Sequence, residues 1–189
     1  MAQHSNIVGG STAKRVINCP GSVALVAQMP PKPSSVYADT GTLLHNVIAD
    51  VLDGKATAQD FLGAVHADVT LDQDLIDNKL TPALAALNEI DPDRQMEYET
   101  EVVVGFGDLL PGVFGSADIV GRIGDTAYIV DWKFGDGVAV DVEENPQLMF
   151  YAAAAMRTPA AQWAFEGATK VELVIVQPPY VKRWETTPR

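Results

Sequence analysis

The stretch that most constrains this chain is Gly115 to Gly135, GSADIVGRIGDTAYIVDWKFG. Two apolar runs flank Gly124-Asp125, and a Gly-Asp pair between such runs predicts two strands joined by a two-residue hairpin turn. Side chains alternate along a strand, so Asp131 and Lys133 share one face of the second strand while Val130 and Trp132 take the other. Asp118 lies on the first strand, where a twisted hairpin can bring it to the same patch. Two carboxylates and an ammonium then make an open site for a hard divalent cation such as Mg²⁺, with the lysine placed to orient a water or stabilise charge on a phosphate. The same residues would also serve as a cross-strand ion pair with ordinary turn chemistry, so the spacing suggests metal chemistry without deciding it.

A chain of 189 residues with 47% hydrophobic content can bury one core, and a single domain is expected. It has no apolar run of about 18 residues, and Met1 to Gly10 lacks the basic and apolar regions of a signal peptide. No membrane segment and a cytoplasmic location are therefore expected. The single Cys19 excludes an internal disulfide or a cysteine-only metal cluster and is expected as a small buried thiol. The net charge of −12 argues against a general basic footprint for nucleic acid. Its distribution is uneven, however: Asp39 to Glu101 holds 14 acidic and 3 basic residues, a net of −11, which leaves about −1 for the remainder. A phosphate backbone could avoid that acidic segment, and bound cations would offset the charge of the site itself.

In chain order, Ser11 to Met29 has helical character broken at Pro20-Gly21, followed by a stiff proline-rich connector. Thr40 to Asp53 reads as an amphipathic helix with Leu44, Val47, Ile48 and Val51 as its apolar stripe and His45 at the edge. A histidine there is by itself as compatible with packing as with metal ligation. Residues 55–92 read as an acidic, largely helical insertion. From Met96 the period changes to alternation, giving a strand with Glu97, Glu99 and Glu101 on one face; Glu101, nearest the apolar part, is the weak metal candidate among them. Asn145 as N-cap and Pro146 at the first helical position open a later helix, on which Gln147 and Tyr151, four apart, share a face. Lys170 to Gln177 reads as a buried strand, and the polar tail from Tyr180 as a frayed end. The expected order is helix, three strands, helix, strand, with helices flanking a mixed sheet in an α/β core.

Taken together, GTLLH, GSADIV, VDWKFG and QLMFY, in this order and on these elements, resemble the PD-(D/E)XK nuclease superfamily, in particular its RecB-like branch and related phage and prophage exonucleases. The likeness runs from about Ser11 to Gln177. It implies a restriction-endonuclease-like core over residues 1–189, with 55–92 inserted. It further implies a metal site from His45, Asp118, Asp131 and the main-chain carbonyl of Trp132, holding one or two Mg²⁺ or Mn²⁺ ions. Lys133 would activate water or stabilise the pentavalent phosphate, and Gln147 and Tyr151 would support Lys133 or contact the DNA backbone. Some RecB-like relatives carry a four-cysteine iron-sulfur cluster, which one cysteine cannot build, so no cluster is expected.

The expected activity is metal-dependent hydrolysis of DNA phosphodiesters, more exonuclease than endonuclease, in phage or prophage recombination or DNA processing. The location would be the host cytoplasm if the chain is phage-encoded. The expected partner is DNA, and a recombination or single-strand-binding protein and a homo-oligomer are compatible with it. The alternatives are a catalytically silent DNA-binding or assembly module on the same fold and a hydrolase of another phosphorylated substrate.

Overall fold

Gly124, at φ +57°, turns the central hairpin, and the pairing Ile123↔Thr126 leaves Gly124-Asp125 as its two-residue loop. The computed structural model describes residues 5–30, 33–136 and 138–188. Residues 31–32 of the proline-rich connector and 137 of the glycine-rich loop lie outside them.

The helices α1 (Gly10–Asn18) and α2 (Ser22–Ala27) are separated at Cys19 to Gly21, where proline interrupts the backbone ladder. The next helix, α3 (Val36–Leu52), starts four residues earlier than the apolar pattern suggests because the Ser35 hydroxyl accepts from the Ala38 N–H as N-cap. A small ribbon follows, β1 (Val65–His66) and β2 (Val69–Thr70), then α4 (Gln73–Leu75), a π-helical turn at Ile76–Leu80, and α5 (Thr81–Ile90). The ribbon, closed by Ala67 at φ +50°, is an addition to the purely helical expectation for this segment. The main sheet comprises β3 (Glu97–Gly105), β4 (Phe114–Ile123), β5 (Thr126–Trp132), β6 (Lys170–Gln177) and β7 (Tyr180–Thr186), with α6 (Pro146–Ala155) between β5 and β6.

The strands lie in the order β3-β4-β5-β6-β7, all antiparallel except β5 and β6. A parallel pair needs a crossover longer than a hairpin, and the loop and α6 supply it. Asn145 caps α6 through its side-chain oxygen, which accepts from the N–H groups of Gln147 and Leu148. The result is a mixed α/β fold with a five-stranded sheet flanked by helices.

Two apolar clusters hold the layers together. On one face Leu44 and Ile48 of α3, Leu71, Leu80 and Ile90 of the segment between α3 and β3, and Ile119, Val130, Trp132 and Val176 of the sheet pack together. On the other, Leu148 and Tyr151 of α6 pack on Val104, Val120, Ile129 and Ile175. The segment between α3 and β3 therefore contributes to the central core beside α3. Each fully buried Leu or Ile stabilises the fold by about 1.5–3 kcal/mol relative to exposure.

Two expectations are corrected. Cys19 is exposed, because it is the C-cap residue of α1 at the surface turn into Pro20. The tail is a paired edge strand: β7 runs antiparallel to β6 from Val171↔Thr186 to Gln177↔Tyr180. What holds this polar strand is the Arg183 guanidinium, whose Nη2 donates to Glu172 Oε2 at 2.8 Å while Nε donates to Oε1. Glu172 is buried, so it needs that partner. Replacing Arg183 by Ala should cost about 1–3 kcal/mol in urea denaturation, less than a fully buried pair because the guanidinium is half open to solvent. A variant as stable as wild type would show that the pair does not hold the edge.

Candidate metal and phosphate site

The site lies where the β3-β4-β5 ladder opens. Thr100↔Ile119 and Val102↔Ala117 bring Glu101 level with Asp118, yet these two residues do not themselves pair, and Glu101 has the left-handed φ of +50°. The β4-β5 register ends at Ile119↔Val130, so the next level of the ladder is Asp118 beside Asp131. Three carboxylates from three neighbouring strands therefore stand in one row. In place of a ladder bond, the Trp132 N–H donates to Asp118 Oδ2 at 2.7 Å.

Helices close on this fork from both faces. From α3, His45 Nδ1 lies 3.1 Å from Asp118 Oδ1, and its ring packs edge-on against Phe134. From α6, Gln147 uses its whole amide: Oε1 accepts from Lys133 Nζ at 3.0 Å, while Nε2 donates to Asp131 Oδ1 at 3.0 Å and to the Tyr151 hydroxyl at 3.2 Å. The lysine dictates which end of the amide faces it, since an ammonium only donates. Lys133 Nζ also lies 2.7 Å from Asp131 Oδ2, an ion pair that ties the buried carboxylate to the ammonium.

The electrostatics follow from crowding negative charge out of water. Burial pushes Asp131 up to about 6; Lys133 pulls it down, and the neighbouring Asp118 adds to the rise. Glu101 is raised by burial and then by Asp118. For His45, burial opposes the charged ring, but Asp118, Asp131 and Glu101 outweigh it and raise its pKa above the ordinary value. Tyr151 is raised by burial and by the Asp131 charge, so its phenol stays protonated.

These groups line a cleft of about 410 Å³ whose walls also include Ser11 of α1, Gly41 and Thr42 of α3, Ser116 of β4 and His66 of β1. One ligand atom each from His45, Glu101 and Asp118 lies within 4.8 Å of the others. An imidazole and two carboxylates suit Mn²⁺ or Mg²⁺, whose hard character favours oxygen and whose remaining positions can hold water. The raised Asp131 and Glu101 carboxyls fit the same conclusion: the row is short of positive charge.

His45, Glu101, Asp118, Asp131, Lys133, Gln147 and Tyr151 all line one cleft, whereas Trp132, expected to ligate through its main-chain carbonyl, is not among the residues that line it. Asp131 stands beside the converging trio and faces Lys133 and Gln147, and Trp132 enters through its backbone N–H while its side chain is core. Glu101 joins more closely than its place in a glutamate row suggested, and Ser116 donates to it at 3.2 Å. His66 also lines the cleft, and a histidine in a two-residue strand carries no periodicity signal to mark it.

Residues 4–186 match the model of a family described as a protein of unknown function, DUF2800. The chain belongs to that family. Among solved structures, the crystal structure of SSO0001 is similar to this DUF2800 chain over 87% of its length and 72% of the other's, with 14% identity and a TM-score of 0.28. The fold and site of this DUF2800 member accordingly stand on its own geometry.

The Asp131 charge has a thermodynamic sign that can be checked. The folded chain keeps this proton to about pH 6, whereas an ordinary aspartate releases it at 3.8, so stability falls as pH rises through that window and the cost persists above it. In metal-free buffer, Asp131→Asn should therefore be more stable than wild type at pH 7.5 by about 1–3 kcal/mol, and the difference should vanish below about pH 4. Thermal unfolding at both pH values measures this; a variant that melts below wild type at pH 7.5 would contradict the assigned strain.

Proposed function

We propose that this protein is a metal-dependent phosphodiesterase of the PD-(D/E)XK type, acting on DNA as a RecB-like exonuclease. The observation that supports this reading most is the amide of Gln147 holding Lys133 against Asp131 at one end of a three-strand carboxylate row. Three carboxylates, Asp118, Asp131 and the half-buried Glu101, crowd at this point against the single ammonium of Lys133 and the His45 ring, which leaves the cleft short of positive charge.

His45, Glu101 and Asp118 would hold the divalent cation, with Asp131 beside them. The cation supplies Lewis-acid polarisation of a phosphate oxygen and a water of lowered pKa. Lys133 presents an ammonium to the cleft, where it orients the attacking water and stabilises charge that builds on the phosphate. Gln147 keeps that ammonium in one position. Tyr151 accepts from Gln147 through its hydroxyl oxygen, which leaves its own proton to donate to a phosphate oxygen. The net acidity of the chain does not oppose this, since residues 39–101 carry most of it.

The test is digestion of end-labelled linear and closed circular DNA, single- and double-stranded, with Mg²⁺ or Mn²⁺ and with EDTA as control. Linear substrate alone should be lost, and Asp118→Asn and Lys133→Ala should each lower the rate by about a hundredfold or more while keeping the fold. Cleavage unchanged in both variants overturns the assignment. A folded wild type that binds Mn²⁺ and DNA but cleaves neither form would favour a silent assembly module on the same fold.

A further inference from the structure

The first turn of α1 makes an approach to Tyr151 that only glycine permits. A Cβ placed on Gly10 would lie less than 3.0 Å from Cε1 and Cζ of the Tyr151 ring and 2.7 Å from its hydroxyl oxygen. Real side chains do not come that close, so the backbone of Gly10 lies directly on the edge of the phenol. Gly115, at the start of β4, does the same from the sheet: its added Cβ would be 3.0 Å from Tyr151 Cε1 and 3.2 Å from the Gly10 nitrogen. Neither glycine has the positive φ that would demand this residue for backbone reasons. The requirement is space. Tyr151 is 6% exposed, and its hydroxyl meets the Gln147 amide that binds Lys133 and Asp131.

We infer that Gly10 is a positioning residue for the site: with Gly115 it forms a slot that sets the Tyr151 ring, and through Tyr151 and Gln147 it sets Lys133. The side chain of Gln147 has rotatable bonds and three polar partners, so a displaced hydroxyl releases one of the three and lets the amide turn. Lys133 Nζ, which takes Gln147 Oε1 as its acceptor, then moves with it. The helix α1 is in this sense part of the site's scaffold although Gly10 bears no reactive group. The consequence for cleavage rests on the phosphodiesterase reading above; the consequence for Lys133 does not.

The experiment is a double-mutant cycle of Gly10→Ala and Tyr151→Phe, read three ways: thermal stability, DNA cleavage, and the Nζ signal of Lys133 in ¹⁵N-lysine-labelled protein, assigned by its absence in Lys133→Ala. Thermal stability is read to establish that each variant folds, since two changes in direct contact do not give additive losses. The site readouts should not add, because both changes act through the same hydroxyl. Each single variant should shift the Lys133 signal and lower cleavage by about 10- to 100-fold, the scale of a misplacement of about 1 Å, and the double variant should fall no further.

Gly10→Ala with a lowered melting temperature but a wild-type Lys133 signal would overturn the inference and leave only helix packing. A double variant that loses the product of the two single losses would overturn it as well. If the wild type cleaves no DNA, the phosphodiesterase reading fails, and the Lys133 signal still decides the positioning role. Should Gly10→Ala not fold, Gly115→Ala crowds the same ring edge less severely and carries the same expectations.

Discussion

Burying Asp118 and Asp131 side by side, with Glu101 half-buried next to them, works against every favourable term that forms a sheet, and much of the surrounding structure serves to make that burial tolerable. A carboxylate removed from water must find donors or give up its charge. Asp118 finds the Trp132 N–H and the His45 ring, and Asp131 finds the Gln147 amide and the Lys133 ammonium. The backbone yields too: Glu101 adopts a left-handed conformation, and neither Glu101 nor Asp131 is paired with Asp118 in the ladder. Strain and lost pairing concentrated at one point, in an otherwise regular sheet, mark a place where the fold has been bent to something other than its own stability.

That point depends on both faces of the sheet. His45 comes from α3, which is anchored in the cluster containing Leu44, Ile48 and Trp132, whereas Gln147 comes from α6, anchored among Leu148, Val120 and Ile129. The two apolar clusters share no residue, so each positions its own half of the site. The segment between α3 and β3 contributes to the first cluster and places His66 on the cleft wall. On the opposite side, α1 lies across α6 through the bare backbone of Gly10. Packing far from any reactive group is in this way tied to the angle of a single amide.

Legibility from the sequence varied with the range of the interaction responsible. Gly124-Asp125 and Asn145-Pro146 were readable because turn and cap chemistry act over two to four residues. Asp131 with Lys133, and Gln147 with Tyr151, were readable because strand and helix periods place them on common faces. The helix holding His45 was readable, but its start was not, since Ser35 caps it inside a stretch whose prolines suggested a connector. The Tyr180–Thr186 strand was missed because an edge strand alternating between exposed and half-buried positions has no apolar run to signal it.

What the sequence determined by itself was the set of elements and the chemistry carried on each: a hairpin with two aspartates and a lysine, a helix with a histidine, and a helix with a glutamine and a tyrosine. Only the tertiary structure decided that Glu101 stands level with Asp118, that Asp131 turns to Lys133 and Gln147 while His45 turns to Asp118, and that Gly10 lies on the Tyr151 ring. The reason is physical. Periodicity fixes which way a side chain points from its own element, but the level at which two strands pair and the distance at which two helices meet are set by contacts between residues dozens of positions apart.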